Sequence, residues 1–596
     1  MSRARLVRLL ALLALLLPLL AVSAEQGSAA ESIYFPETGQ TLSDEHGFLT
    51  YWRTYGGLAQ FGYPLTPEVR EVNPADGKIY STQWFERNRF EWHPENAGTK
   101  YEVLLGLLGN QLVLNRRGEP PFQPVANPNL PTQRYFPETG HTLRNSFKTY
   151  WETHGGLELY GYPLTEEFYE VSPTDGKQYV VQYFERNRFE WHPENIGTPY
   201  EVLLGLLGNE IIGNPGTPEA PTASVSVALS VPPQFKSGPF ATTRTFTLPP
   251  NFTISLYAGG LPGARMLAVA PNGDRFVSRK DAGEIVALPD RNGDGVADEA
   301  RVFASGLPKP HGLTFHGGYL YVAQEASVIR IPYVSGDLTA RAPAETIVPL
   351  LPNGPGSGLV GDVNHDTRSI AFGQDGKMYI SVGSSCDVCI ESEERRATVL
   401  QFNTDGSGGR IFASGLRNAV GLRLDPRTGL LWATGNERNG LGDNEPPDLF
   451  VPLRAGVNYG WPYCVGVPPR PAPQFGVGRD DYCRTQVETA LVALQARTAP
   501  LGYSFTEGAK LPAPFANGAI LTEHGPFGRV DAGHRLVFLS MVPGRMQAGT
   551  RDFARGWIQD GTLWGNPVDV LVGPDGAIYV SDDLAGAVYR IAYTGP

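Results

Sequence analysis

One pattern recurs through the second part of this 596-residue chain: an Asx-Gly turn, then alternating apolar residues that end in an aromatic and a small polar residue. It reads PNGDRFVS at Pro271, QDGKMYIS at Gln374 and PDGAIYVS at Pro574, with variants HGGYLYVA, RTGLLWAT and AGHRLVFLS. Asx-Gly between alternating runs specifies a tight hairpin, and a period of two specifies strands with one buried face. Aromatic strands are thus expected at Phe276, Tyr321, Tyr379, Trp432, Phe538 and Tyr579, mostly about fifty residues apart, as four short strands per unit require. The interval from Trp432 to Phe538 is twice the others and predicts an insertion there. Six units fit the roughly 350 residues available, so a six-bladed β-propeller is predicted over 241–596. The stretch TRTFTLPPNFTISLYA is expected to pair with the terminal AVYRIAY, closing the ring and removing its free sheet edge.

Ahead of this region one module occurs twice, over 31–130 and 131–213. The first copy reads YFPETGQTL, YWRTYGGLAQFGYPLTPE and WFERNRFEWHPENAGTKYEVLLGLLGN; the second repeats all three blocks. Its aromatics, Trp52, Trp92, Trp151 and Trp191 among them, suit either a module core or a carbohydrate platform. Residues 214–240, rich in Pro, Thr and Ser, read as a linker. The whole is mostly β: 70 Gly and 51 Pro make a helical bundle untenable.

Arg3, Arg5 and Arg8 precede the apolar run Leu9 to Leu20 and the short side chains Val22-Ser23-Ala24. This is a signal-peptide pattern over 1–24, too short for a span, so a secreted, periplasmic or cell-surface protein with no transmembrane segment after cleavage is expected. Four cysteines in an exported chain predict two disulfides, and spacing suggests Cys386 with Cys389 and Cys464 with Cys483. Zinc is the alternative, although no histidine pair flanks them. A net charge of −12 argues against a nucleic-acid partner and leaves room for a local basic pocket.

Between Asn364 and Cys483 lie an imidazole (His365), guanidinium groups (Arg368, Arg417), an amide (Asn418) and carboxylates (Asp443, Glu445), all among strand and turn signals. A propeller gathers such loop residues at one end of its channel. DRNGDGVAD from Asp290 has carboxylates at calcium-loop spacing, yet Arg301 stands where an EF-hand needs a bidentate glutamate; a weak site and a plain hairpin both remain open.

The ordered series HDTRSIAFGQDGKMYISVG, ASGLRNAVGL, GNERNGLGDNE and AGVNYGWP resembles the soluble pyrroloquinoline quinone (PQQ) sugar dehydrogenases, most of all their sorbosone and pyranose dehydrogenase branch, over about Leu248 to Tyr593. The repeated modules resemble LGFP-type repeats of bacterial surface proteins through GGL, GYPLT and QYFERNRFEW. The first resemblance implies oxidation of a sugar or sugar-derived alcohol or aldehyde, with hydride passing to PQQ. His365 would be the general base, an imidazole being suited by a pKa near working pH. Arg417 and Asn418 would hold cofactor oxygens, joined by Arg529 in EHGPFGR, and His311 either faces the same channel or is structural.

Calcium, a hard cation, would take the carbonyls of Asn439 and Gly440, where the family has Gly-Pro; Glu445 and the Tyr459 carbonyl match a second, structural calcium site. No lysine equivalent appears in the last two blades, and Arg497-Thr498 stands where the branch commonly has a histidine. No CxxCH haem motif occurs, so an external cytochrome or quinone is expected to take the electrons. The modules offer a surface for cell-wall or other glycan. Two rival readings are a calcium-dependent lactonase-like hydrolase, which needs several acidic or amide side chains on one ion, and a non-catalytic polysaccharide-binding propeller.

Overall fold

The computed structural model describes residues 30–595 except 74, 115, 213–222, 355–364, 489–491, 527–530 and 542–548. The expected signal segment and Arg529 lie outside the described residues. Among the described residues, no helix is long and apolar enough to cross a membrane.

Six antiparallel sheets form the second part of the chain, and their innermost strands adjoin one another in a closed ring. In order these strands are Ala264–Val269, Gly312–His316, Ile370–Phe372, Ala419–Leu424, Pro500–Phe505 and Pro567–Val572. The chain is a six-bladed β-propeller. Closure is as the sequence predicts: Phe252–Ala258 pairs with Ala587–Tyr593, from Phe252 opposite Tyr593 onward. Thr245–Leu248 instead extends the fifth blade.

Apolar faces alternate along these strands, so each blade buries side chains against both neighbours. Phe276 packs with Leu313 and Val322 between the first two blades, and Trp432 with Tyr503 and Ala519 between the fourth and fifth. In four blades a hydroxyl on the second strand has the same task. Ser278 Oγ donates to the His311 carbonyl at 2.7 Å, Thr434 Oγ1 to Leu501 at 2.7 Å, Thr522 Oγ1 to Val568 at 2.8 Å and Ser581 Oγ to Arg265 at 2.5 Å. Each bond runs from one blade to the next blade's inner strand, satisfying a carbonyl that no ladder reaches. Thr522 corrects one expectation. The fifth blade's second strand is Gly518–Glu523, and Phe538 sits on its third strand, Arg535–Ser540. The long Trp432–Phe538 interval therefore has two sources: this one-strand displacement, and an excursion between Leu449–Leu453 and Val492–Ala493 that carries the Cys464–Cys483 disulfide. Cys386 and Cys389 form the other disulfide.

Each N-terminal module is a hairpin, two short helices, a four-stranded sheet, Val69–Val72 to Val103–Leu105 in one and Phe168–Val171 to Val202–Leu204 in the other, and a third short helix. The two share one core, in which Trp151 is buried and Trp52, Trp92 and Trp191 are partly buried. Their contact is reciprocal: Asn88 and Asn187 exchange side-chain hydrogen bonds at 3.4 Å, and a Cβ on Gly109 or Gly208 would meet the other module's Phe184 or Phe85 carbonyl oxygen at 1.8 Å. Only glycine allows that approach.

Candidate functional site

Residues just before each inner strand, and those joining the second and third strands of each blade, lie at one end of the ring. His311, His365, Arg417, Arg497 and Asn566 belong to the first set; Lys280, Ser384, Asn436 and His524 belong to the second. This rim also holds left-handed backbone at Lys309, Ala397, Arg497, Ala499 and His534, with φ between 43° and 61°. Such conformations are costly for residues with a Cβ and gather at functional sites.

His365 and Arg417 sit side by side, joined through one peptide. Ser384 donates its N–H to the Arg417 carbonyl at 2.8 Å and accepts the His365 N–H at 3.2 Å. The His365 ring meets the Ser384 carbonyl and hydroxyl with Nδ1, each at 3.0 Å. That hydroxyl donates its proton to Cys386 O at 2.7 Å, so both groups facing Nδ1 are acceptors and Nδ1 carries the hydrogen. Nε2 keeps its lone pair and has no hydrogen-bond partner among the described residues. Burial, then the charge of Arg417, push the His365 pKa down to about 3, so the ring stays neutral. Gly383 permits this crowding: a Cβ there would meet His365 Cβ at 2.5 Å and Asn418 Oδ1 at 2.8 Å.

Arg368 is wholly buried behind His365. Its Nη1 donates to the His365 and Thr367 carbonyls at 2.6 and 2.8 Å and its Nη2 to Pro352 O at 2.6 Å, while burial lowers its pKa to about 10. The Arg368 carbonyl accepts both Gly312 N–H and His311 Nδ1. His311 is therefore a fully buried strut, with Nε2 unpartnered and a pKa driven well below the ordinary value by burial.

Arg417 is buried and held by the protein itself. Nε donates to Asp387 O at 2.9 Å, Nη2 to Asp387 Oδ1 at 2.8 Å and Nη1 to Asn436 O at 3.0 Å. Asp387 sits inside the Cys386–Cys389 ring and also receives Asn439 N–H at 2.9 Å. Sequence reasoning missed this node, although an acidic residue enclosed by a CxxC pair was the signal for it. It also missed Asn436, Glu437 and Asp448. The buried Asp448 carboxylate accepts the N–H groups of Glu437, Thr498 and Ala499, yet burial raises its pKa to about 7. Burial lifts Glu437 to about 7 as well, against the pull of Arg417. Further round the rim, His524 Nε2 lies 3.2 Å from Asp583, which Arg265 also pairs at 2.8 Å. Burial opposes ionisation there, but these two partners win and hold Asp583 at about 2.

Asn439 and Gly440 form an exposed turn whose Asn439 carbonyl accepts from Arg438 Nε at 3.3 Å. Glu445 pairs with Arg470, Asp443 with Arg497 at 2.7 Å, and Tyr459 is buried with its hydroxyl on Pro452 O. The loop from Asp290 closes on itself: Asp290 accepts Gly293 and Gly295 N–H, and Asp298 accepts Arg291 N–H. Among the described residues, buried oxygens without a hydrogen-bond partner occur on Asn418 Oδ1, Asn436 Oδ1 and Glu437 Oε2, and Arg438 Nη1 is a buried donor without one. This mixture of free donors and acceptors fits a polar, anionic, multiply hydrogen-bonded group such as PQQ.

The TrAA12-like family model matches residues 246–594, and the chain belongs to that family. A Borreliella burgdorferi protein described as uncharacterized is 26% identical over 302 residues, covering 49% of this chain and 77% of its own. The calcium structure of the Trichoderma reesei carbohydrate-active enzyme of family AA12 matches with a TM-score of 0.50 at 18% identity, over 58% of this chain and 96% of that one. The holo form of the pyranose dehydrogenase PQQ domain from Coprinopsis cinerea matches with a TM-score of 0.50 at 19% identity, over 61% of this chain and all of that one, 100%. At these identities the structural likeness is one of fold, that of the PQQ-dependent sugar dehydrogenases.

Proposed function

Proceeding from membership of the TrAA12-like family, we propose that this protein is an exported oxidoreductase that oxidises a sugar or sugar-derived alcohol or aldehyde with PQQ. The observation that carries the reading is the His365 ring, fixed through Nδ1, with Nε2 unpartnered among the described residues and only Ser384 between it and Arg417 on the propeller rim. Bound PQQ would supply the acceptor for a hydride leaving the substrate carbon. His365 Nε2 takes the proton of the hydroxyl on that carbon, and Ser384 keeps the tautomer that makes this possible. An anion beside Arg417 would offset the positive field and strengthen His365 as a base. Asn418, with Oδ1 unpartnered, orients a polar group next to it. Electrons leave to an external cytochrome or quinone. Calcium accompanies the cofactor in this reading, and the N-terminal modules provide contact to cell-wall or other glycan.

Reconstitution of the full-length protein with PQQ and calcium, followed by dye reduction across a panel of sugars, tests the proposal. Cofactor retained on dialysis and sugar-dependent reduction are expected; neither appearing overturns it. The free oxygens of Asn418, Asn436 and Glu437 favour one alternative, a calcium-dependent lactonase-like hydrolase. Calcium-dependent lactone hydrolysis without PQQ would select that alternative.

A further inference from the structure

We propose that Arg438 is the guanidinium that binds the anionic ligand on this rim, with the carboxylates of PQQ as the ligand class, and that Arg417 is a positioning residue. The assignment rests on the cofactor reading above. Sequence points to Arg417, but each of its three nitrogens already donates one hydrogen bond to a protein acceptor, and the Asp387 carboxylate at 2.8 Å offsets part of its charge. A ligand with several carboxylates needs a cation that the protein has left uncompensated.

Arg438 meets that requirement. The residue is only 8% exposed, forms no ion pair, donates Nε to Asn439 O at 3.3 Å and leaves Nη1 buried without a partner among the described residues. It is also in the right place. Asn436, two residues before it, accepts Arg417 Nη1 at 3.0 Å, and Asn439, next after it, donates to the Asp387 oxygen that binds Arg417 Nη2. The peptides on either side of Arg438 are thus pinned to the Arg417–Asp387 pair. A buried guanidinium lacking both counter-charge and full hydrogen bonding is destabilising in the empty protein. A bound carboxylate supplies both, through a planar fork that lysine cannot reproduce.

The experiment compares full-length wild type with Arg438→Met, which keeps much of the stem's packing, and Arg438→Gln. PQQ titration followed by absorbance gives affinity, and thermal melting of the cofactor-free protein gives stability. Affinity should fall about ten- to a hundredfold in both variants, the loss of a charge-assisted bond. The cofactor-free Met variant should melt no lower than wild type, whereas a purely structural arginine would lower its melting temperature. Wild-type affinity in a folded variant, or a clear drop in the Met variant's melting temperature, overturns the Arg438 assignment alone. A wild type that does not bind PQQ overturns the cofactor reading, and this assignment with it.

Discussion

The two ends of the propeller are built from the same sheets but close their loops in different ways. At the end away from His365, the Asp-Gly turns satisfy themselves. Tyr379 donates its hydroxyl to Asp375 at 2.8 Å, Tyr579 to Asp575 at 3.0 Å, and each aspartate also caps the N–H two residues on. The N-terminal modules use the same device, Tyr80 on Asp76 and Tyr179 on Asp175. That end opens on a central cavity of about 700 Å³, lined by residues such as Leu267, Ile370, Leu424 and Phe505 and crossed by the Arg423–Asp569 ion pair. At the rim, left-handed residues, carboxyls raised to about 7 and unpartnered polar atoms accumulate. Local hydrogen-bonding rules are met at the first end and left open at the rim, the pattern that ligand-binding sites have in other proteins.

The sharpest break in this comparison is His365→Ala. Turnover should fall by about a hundredfold to ten-thousandfold, the range for a lost general base, with PQQ still retained on dialysis. Retained turnover would remove the rim from the chemistry. The same residue has a pH signature. Its pKa in the folded protein, about 3, lies below the unfolded value near 6.5, so its contribution to stability is present above pH 6.5 and is lost as pH falls toward 3. Urea unfolding from pH 7 to 3.5 should show that loss in wild type and a shallower slope in His365→Ala.

A smaller effect is expected at Asp387→Ala. Arg417 would remain buried without its carboxylate, which costs about 3 kcal/mol of stability, readable as a shift in the urea midpoint. A shift within the scatter of surface variants would mean that the disulfide-bounded node does not hold the rim together. The smallest effect belongs to the opposite end. Tyr379→Phe deletes two hydrogen bonds of a buried hydroxyl, one to Asp375 and one from Gln401 Nε2, costs about 1–2 kcal/mol by the same measurement, and leaves sugar oxidation unchanged. Altered turnover in that variant would erase the distinction between the ends.

Much of the fold was legible because its signals are local. Asx-Gly turns, strand alternation, both cysteine pairings and the pairing of Phe252–Ala258 with the final strand all follow from neighbouring residues or from the need to close an edge. Phe538 misled for a physical reason. An aromatic beside an apolar run marks a buried strand but not which strand of the blade, and the hydroxyl of Thr522 carries that information. The site was legible only in part. His365 and Arg417 do lie together, but the CxxC pair around Asp387 signals only an enclosed carboxylate and not its partner Arg417, and no local pattern marks Arg438 on the Asn439 carbonyl or Glu445 on Arg470.

Strands and turns were readable from residue order because they rest on a period of two and on turns a few residues long, and the duplication and the number of blades because whole blocks recur at spacings of about one hundred and about fifty residues respectively. Tertiary structure alone decided which charges are neutralised. Arg417 and Asp387 are thirty residues apart in the chain and 2.8 Å apart in space, while Arg438 forms no ion pair among the described residues despite following Glu437. Pairing depends on how loops from separate blades converge, and residue order does not encode that distance locally.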